Sequence, residues 1–126
     1  MKFNISSFLE NINYRFKRKN ILSHLPEKFI DDAVNAIPEW ETYKITSLRN
    51  LDHLEKKFNI NNIFFKDEGE RFNLKSFKAL GGAFAVDKIA KDRKNITVAT
   101  ATAGNHGRSV AWGAKRLGIK CKIFIS

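Results

Sequence analysis

Between Ile96 and Ile125 the residues spell a strand, a small-residue turn, a helix and a second strand, an order that leaves few folds open. Ile96 to Ala101 is a compact strand-like run, Thr102 to Asn105 reads as a turn, and the helical pattern continues through Leu117 to a natural stop at Gly118. Lys120 to Ile125 then resumes strand character. Two strands joined through a helix lie parallel in one sheet, and parallel strands are covered on both faces. The expectation is an α/β protein with a parallel or mixed sheet and flanking helices. Ile123, Phe124 and Ile125 would need covering by a further element, so the chain reads as truncated within a larger domain.

Upstream, residues 1–25 show weak periodicity, with room for one helical turn around Ser7 to Asn13. After Pro26, the residues Phe29, Ile30, Ala33, Val34 and Ile37 repeat at helical spacing, with Glu27, Asp31 and Asp32 near the positive end and Pro38 as terminator. Leu48, Leu51, Leu54 and Phe58 form a second apolar stripe, followed by a short strand over Ile60 to Phe65. Ser76 is placed to cap a third helix carrying Phe77, Leu80, Phe84 and Ile89. The organisation expected is an N-terminal arm and helix over 1–37, followed by one α/β region over 38–126.

Composition removes several functional classes. With 43% apolar and 12% aromatic residues the chain can build a core. A single cysteine, Cys121, closes no internal disulfide, and no Cys/His spacing suggests a metal. No apolar run is long enough for a membrane span and no signal-type segment opens the chain, so a cytoplasmic protein is expected. The net charge of +10 is mostly scattered. Its one dense cluster, Arg15, Lys17, Arg18 and Lys19 beside Tyr14 and Phe16, reads as a solvated basic face in preference to a phosphate-binding patch, and no nucleic-acid partner is expected. Neither a Walker loop nor a G-x-G-x-x-G is present.

Two segments carry chemistry. The first runs from Phe65 through Arg71, Phe72, Lys75, Ser76, Phe77 and Lys78 to Gly81 and Gly82. A cation in the first turn of a helix sits at the wrong end of the dipole, and Lys75 adds to the repulsion. A neutral amine is what a Schiff-base nucleophile requires, whereas an isolated lysine is ordinarily a surface residue. Gly81 and Gly82 each cost a helix interior about 1 kcal/mol, which points to close backbone approach by a flat ligand or a packed helix. In the second segment, Thr100 to Arg108, a strand ends and a helix begins. There the free N–H groups of Thr102, Ala103, Gly104, Asn105 and His106 suit a carboxylate or phosphate. Asn105 and His106 are equally suited to capping the helix, and spacing alone does not choose.

Together the segments resemble fold-type II pyridoxal-phosphate (PLP) enzymes, in which Ser-x-Lys presents the Schiff-base lysine beside a Gly-Asn-His loop. The resemblance is specific to the diaminopropionate ammonia-lyase family. It rests on Lys66-Asp67-Glu68, Arg71-Phe72, Leu74, Phe77-Lys78, Leu80-Gly81-Gly82 and Gly104-Asn105-His106-Gly107-Arg108, with Val110-Ala111-Trp112 beyond. It implies that Lys78 holds PLP as a Schiff base, that Phe77 and Asn105 border the ring, and that the loop Thr102, Ala103, Gly104, Asn105 and His106 receives the substrate carboxylate. The implied reaction is α,β-elimination from 2,3-diaminopropionate to pyruvate and ammonia, and the implied full-length assembly is a homodimer.

The match reaches weakly back to Trp40, Tyr43, Thr46 and Leu48, without the two prolines usual in that entry segment. Ala103 stands where the family commonly has an aspartate, so an acid/base group there is lost and the loop resembles that of threonine and serine dehydratases. Residues 38–126 are thus expected to begin a catalytic region that is incomplete at its C-terminal end, lacking the glycine-rich phosphate loop and the residue facing the pyridine nitrogen. Weak or no activity is expected of this polypeptide alone. The alternatives are a threonine/serine dehydratase-like ammonia-lyase and a non-catalytic remnant.

Overall fold

A computed structural model of the chain describes residues 24–93 and 95–125. The turn read around Ser7 to Asn13 and the basic cluster Arg15 to Lys19 lie outside those residues. The chain divides into two compact units, residues 1–32 and 33–126.

The elements in order are α1 (Glu27–Ala36), a 3-10 turn (Ile37–Glu39), β1 (Leu48–Asn50), α2 (Asp52–Phe58) and β2 (Phe64–Lys66). A 3-10 segment (Glu68–Asn73), α3 (Lys78–Ala90), β3 (Thr97–Ala101), α4 (Asn105–Arg116) and β4 (Lys120–Phe124) follow. Pro38 sits inside the 3-10 turn, where the α-helical ladder has already ended. Strands β3 and β4 pair in parallel from Thr97 against Lys120 to Ala101 against Phe124, joined through α4. This is the strand, helix, strand unit read from the sequence. Strands β1 and β2 form a separate antiparallel pair, Leu48 against Lys66 and Asn50 against Phe64. The architecture is α/β with both strand senses.

Two readings shift. Leu48 belongs to β1 and not to the helical stripe, because α2 starts only at Asp52. Of the strand expected over Ile60 to Phe65 only its end pairs. The Ile60 N–H donates to the Glu55 carbonyl and the Ile63 N–H to Glu55 Oε1, at 3.1 and 2.9 Å. Those bonds satisfy backbone donors locally, so a ladder is not needed there.

The core has two patches. Trp40, Phe72, Ala79, Ala83 and Phe84 form one, with Ala33, Ala36, Ile37, Tyr43 and Trp112 packed against it. Val86, Val98, Val110 and Ala114 form the other, between α3, α4 and β3. Helices α3 and α4 meet along a seam of small residues. A Cβ on Gly82 would lie 1.9 Å from Ser109 Oγ, and one on Gly113 would lie 2.8 Å from Ala83 Cα. The close approach expected at Gly82 is that of a packed helix; at Gly81 there is open space within 4 Å.

The pair yields a matched test. Gly113→Ala meets backbone that cannot swing aside, so it is expected to destabilise by about 2 kcal/mol despite alanine's better helix propensity. Gly81→Ala meets nothing and is expected to stabilise by about 0.5–1 kcal/mol. Urea unfolding of both variants against the parent reads the difference directly.

Candidate active site

Lys78 is the first residue of α3, and no acidic residue occupies that helix's first turn. Ser76 does act at this start, but from one residue outside the cap position: Phe77 is the N-cap residue, and the Lys78 N–H donates to Ser76 Oγ at 3.2 Å. Lys78 and Phe77 are both exposed, with Lys78 Nζ 4.8 Å from the centre of the Phe77 ring. The chain reaches this point through an unusual backbone. Phe72, Asn73 and Lys75 are all left-handed, with φ of 50, 57 and 54°. For residues other than glycine such values persist only when surrounding contacts enforce them.

The second segment is built as a bare helix start. The Thr102 N–H donates to the Phe124 carbonyl at 2.8 Å, tying the loop to β4, and Thr102 Oγ1 accepts from the Gly104 N–H at 3.3 Å. Gly104 is the N-cap of α4 and no side chain caps it, so neither Asn105 nor His106 plays the capping role left open by the sequence. Thr102 is half-buried, while Ala103, Gly104, Asn105 and His106 are exposed. A Cβ on Gly107 would come within 2.7 Å of Thr102 Cγ2 and 3.3 Å of Ile123 Cγ2, so glycine is what lets α4 begin this close to the loop and β4.

The helix seam fixes how these two starts are related. Gly82 faces Ser109, Ala83 and Val86 face Gly113, and Asp87 pairs with Arg116. The contacts advance along both helices in the same direction, so α3 and α4 run side by side with their N-termini at one end. Gly82 and Ser109 each lie one turn beyond Lys78 and Asn105 respectively. The structure therefore brings the lysine and the anion-type loop to the same end of a single packed helix pair.

The sequence reading missed the group that holds the lysine segment in place. Arg71 is buried at 5% exposure and uses its guanidinium as a fork. Nε and Nη2 donate to the two carboxylate oxygens of Glu68 at 2.8 and 2.9 Å, Nη1 to the Lys44 carbonyl at 2.7 Å, and Nη2 also to Thr46 Oγ1 at 3.0 Å. Thr46 Oγ1 in turn donates to Glu68 Oε1 at 2.5 Å. The guanidinium also lies over the rings of Tyr43 and Phe72, at 5.4 and 5.6 Å from their centres. The available signal was the Glu68/Arg71 spacing of three, which puts opposite charges within reach in a helical turn. A cleft of about 420 Å³ opens beside this network, lined by Glu41, Lys44, Thr46, Glu70, Arg71 and Phe72 but not by Lys78 or Asn105.

The Arg71 hydrogen bonds bring the Glu68 carboxyl down to about 2 from 4.5; burial opposes this, and the Thr46 hydrogen bond and the Arg71 and Lys66 charges reinforce it. The same bonds raise Arg71. Because the folded Glu68 titrates below the unfolded one, its contribution is present above about pH 4.5 and is lost as pH falls toward 2. Urea unfolding at pH 7, 4 and 3 is expected to show a loss on the order of 2 kcal/mol across that window. Glu68→Gln is expected to flatten that dependence.

A family model for pyridoxal-phosphate dependent enzymes matches residues 40–126. The chain belongs to the pyridoxal-phosphate dependent enzyme family. Among its relatives is a diaminopropionate ammonia-lyase of Salmonella typhimurium, 37% identical over 105 residues, a match covering 66% of this chain and 26% of that protein. An L-threonine dehydratase of Haemophilus influenzae is 34% identical over 110 residues, covering 83% of this chain and 21% of that protein. The fold is similar to that of Escherichia coli diaminopropionate ammonia lyase in complex with an aminoacrylate-PLP azomethine reaction intermediate. The TM-score is 0.67 at 38% identity, over 74% of this chain and 27% of that one. The chain thus spans about a quarter of the length of the diaminopropionate ammonia-lyases it matches.

The residues present fit the family's cofactor. A planar aldehyde asks for an accessible amine and a flat or polar border, and exposed Lys78, Phe77 and Asn105 are of those kinds. The uncapped start of α4, with no acidic residue in its first turn, suits a carboxylate. Among the described residues no helix is long and apolar enough to cross a membrane, and no three His, Cys, Asp or Glu side chains gather as a metal site.

Proposed function

We propose that residues 38–126 form the front of the catalytic region of an ammonia-lyase, behind an arm and helix over 1–37, with Lys78 as the residue that holds pyridoxal phosphate. Phe77 and Asn105 would border the cofactor ring, and the N–H groups from Thr102 to His106 would receive the substrate carboxylate. The observation that carries this reading is the parallel seam of α3 and α4, which sets the amine of Lys78 and the uncapped start of α4 at one end. The family match beginning at residue 40 and the ammonia-lyase relatives support it.

Pyridoxal phosphate, when bound, supplies an electron sink for the charge left on Cα when its proton departs. The chain's own contribution is geometric. The loop N–H groups anchor the carboxylate, which fixes Cα, and Lys78 Nζ is the group placed to move the Cα proton. For 2,3-diaminopropionate the β-carbon to nitrogen bond breaks as that proton leaves, releasing one ammonia. Water then converts the resulting enamine to pyruvate and a second ammonia.

A dehydratase reading is favoured by one observation, Ala103 in an exposed loop of the form Thr-Ala-Gly-Asn-His. The Arg71-Phe72 and Gly107-Arg108 pairs favour the diaminopropionate substrate. We place the full-length enzyme in the cytoplasm as a homodimer. The test is a substrate panel on the full-length gene product. Pyruvate and ammonia from L-2,3-diaminopropionate are expected, with much slower release from the D-isomer because Ala103 supplies no second acid/base group. Conversion of L-threonine to 2-oxobutanoate without turnover of diaminopropionate establishes the dehydratase, and no turnover of either amino acid a non-catalytic remnant.

A further inference from the structure

We propose that Glu68, Arg71 and Thr46 are positioning residues for Lys78, acting by enforcing the left-handed backbone that delivers the lysine to the start of α3. The inference rests on the reading of Lys78 given above. Arg71 and Phe72 lie at a break inside the 3-10 segment, where Arg71 turns extended (ψ 112°) and Phe72 turns left-handed (φ 50°, ψ 27°). Asn73 is left-handed too, Leu74 returns to the right-handed region (φ −96°, ψ −5°), Lys75 is left-handed again, and Lys78 follows three residues later. Nothing in this stretch is glycine, and although asparagine takes this conformation readily, Phe72 and Lys75 do not, so at those two positions it has to be imposed from outside.

Two holds impose it. On one side of the break, the guanidinium fork fixes Arg71 to Glu68, Thr46 and the Lys44 carbonyl. On the other, the Phe72 ring stacks on Trp112 of α4, with centres 4.6 Å apart and planes 25° apart, and packs at 5.6 Å on Trp40. Trp112 lies on the helix that begins at the Gly104-Asn105 loop. The clamp therefore references the lysine segment to the same helix that carries the anion loop. None of the clamp side chains is placed at the cofactor, so their effect passes through backbone geometry.

The test uses borohydride reduction of the full-length gene product in the presence of pyridoxal phosphate, followed by peptide mapping of the pyridoxyl label. In the parent the label is expected on Lys78. In Glu68→Gln and in the milder Thr46→Val, folding being checked by circular dichroism, labelling of Lys78 is expected to fall about tenfold, the scale of one lost charge-assisted contact. Adding Lys75→Gly to either variant supplies a residue that takes the left-handed conformation freely, and is expected to recover most of the label. A role limited to global stability would make labelling follow the folded fraction, so urea unfolding of the same variants is run beside the mapping, and labelling is expected to fall in samples that remain fully folded. Undiminished labelling of Lys78 in both folded clamp variants, or failure of Lys75→Gly to restore it, overturns the inference and leaves the reading of Lys78 standing. A parent labelled at another side chain overturns that reading, and the inference with it.

Discussion

Lys78→Ala, made in the full-length gene product, is expected to abolish borohydride-dependent pyridoxyl labelling and to lower turnover by about a thousandfold or more, the scale seen when a covalent catalytic group is removed. The same substitution is expected to change stability by no more than about 0.5 kcal/mol, because it removes an exposed side chain whose described contact is the face of the equally exposed Phe77 ring. That dissociation is the point of the experiment. A structural lysine would shift the urea midpoint along with activity, whereas a reacting amine leaves the midpoint in place. Retention of substantial turnover in Lys78→Ala would remove the basis of the proposed chemistry.

The largest stability effect is expected at Arg71. Arg71→Ala deletes four hydrogen bonds, leaves the Glu68 carboxylate at 17% side-chain exposure with only the Thr46 hydroxyl and the more distant Lys66 charge to offset it, and strips the cation from the faces of Tyr43 and Phe72. Breaking a largely buried pair from one side costs about 3–5 kcal/mol, and because Glu68 keeps some solvent access a value near 3 kcal/mol is expected. Arg71→Lys is expected to recover only part of this, since an ammonium cannot reproduce the planar fork. Chemical denaturation of both variants measures the two values, and equal stability of Arg71→Lys and the parent would show that charge alone suffices.

The strand, turn, helix and strand at the C-terminal end were legible because their apolar periods are distinct and because Gly118, with φ of 67°, stops α4 where the pattern ends. Lys78 was legible for a different reason. What the structure places is the helix start at Lys78, and Ser76, Phe77 and the following helix pattern, which mark that start, all sit within a few residues of it. The stretch from Ile60 to Phe65 was misjudged because an apolar run does not say where its N–H groups go, and the answer lay in Glu55, on the preceding helix. The Glu68/Arg71 pairing was within reach of local spacing, but the burial of Arg71 was not. That burial is decided by Lys44 and Thr46, some 27 and 25 residues away in sequence, and a charged residue in a polar loop is ordinarily solvated. The parallel alignment of α3 and α4 was likewise hidden, since it is written in which glycine faces which small residue across two helices.

Both tryptophans of the chain, Trp40 and Trp112, share the Phe72 cluster, their rings 5.6 Å apart, and the Arg116 guanidinium lies over both. Both indoles therefore sample the place where Phe72, ahead of the lysine, leans on α4. Ultraviolet emission from this chain is an internal gauge of that junction, and it needs neither an added dye nor a functional assay to register when the junction loosens.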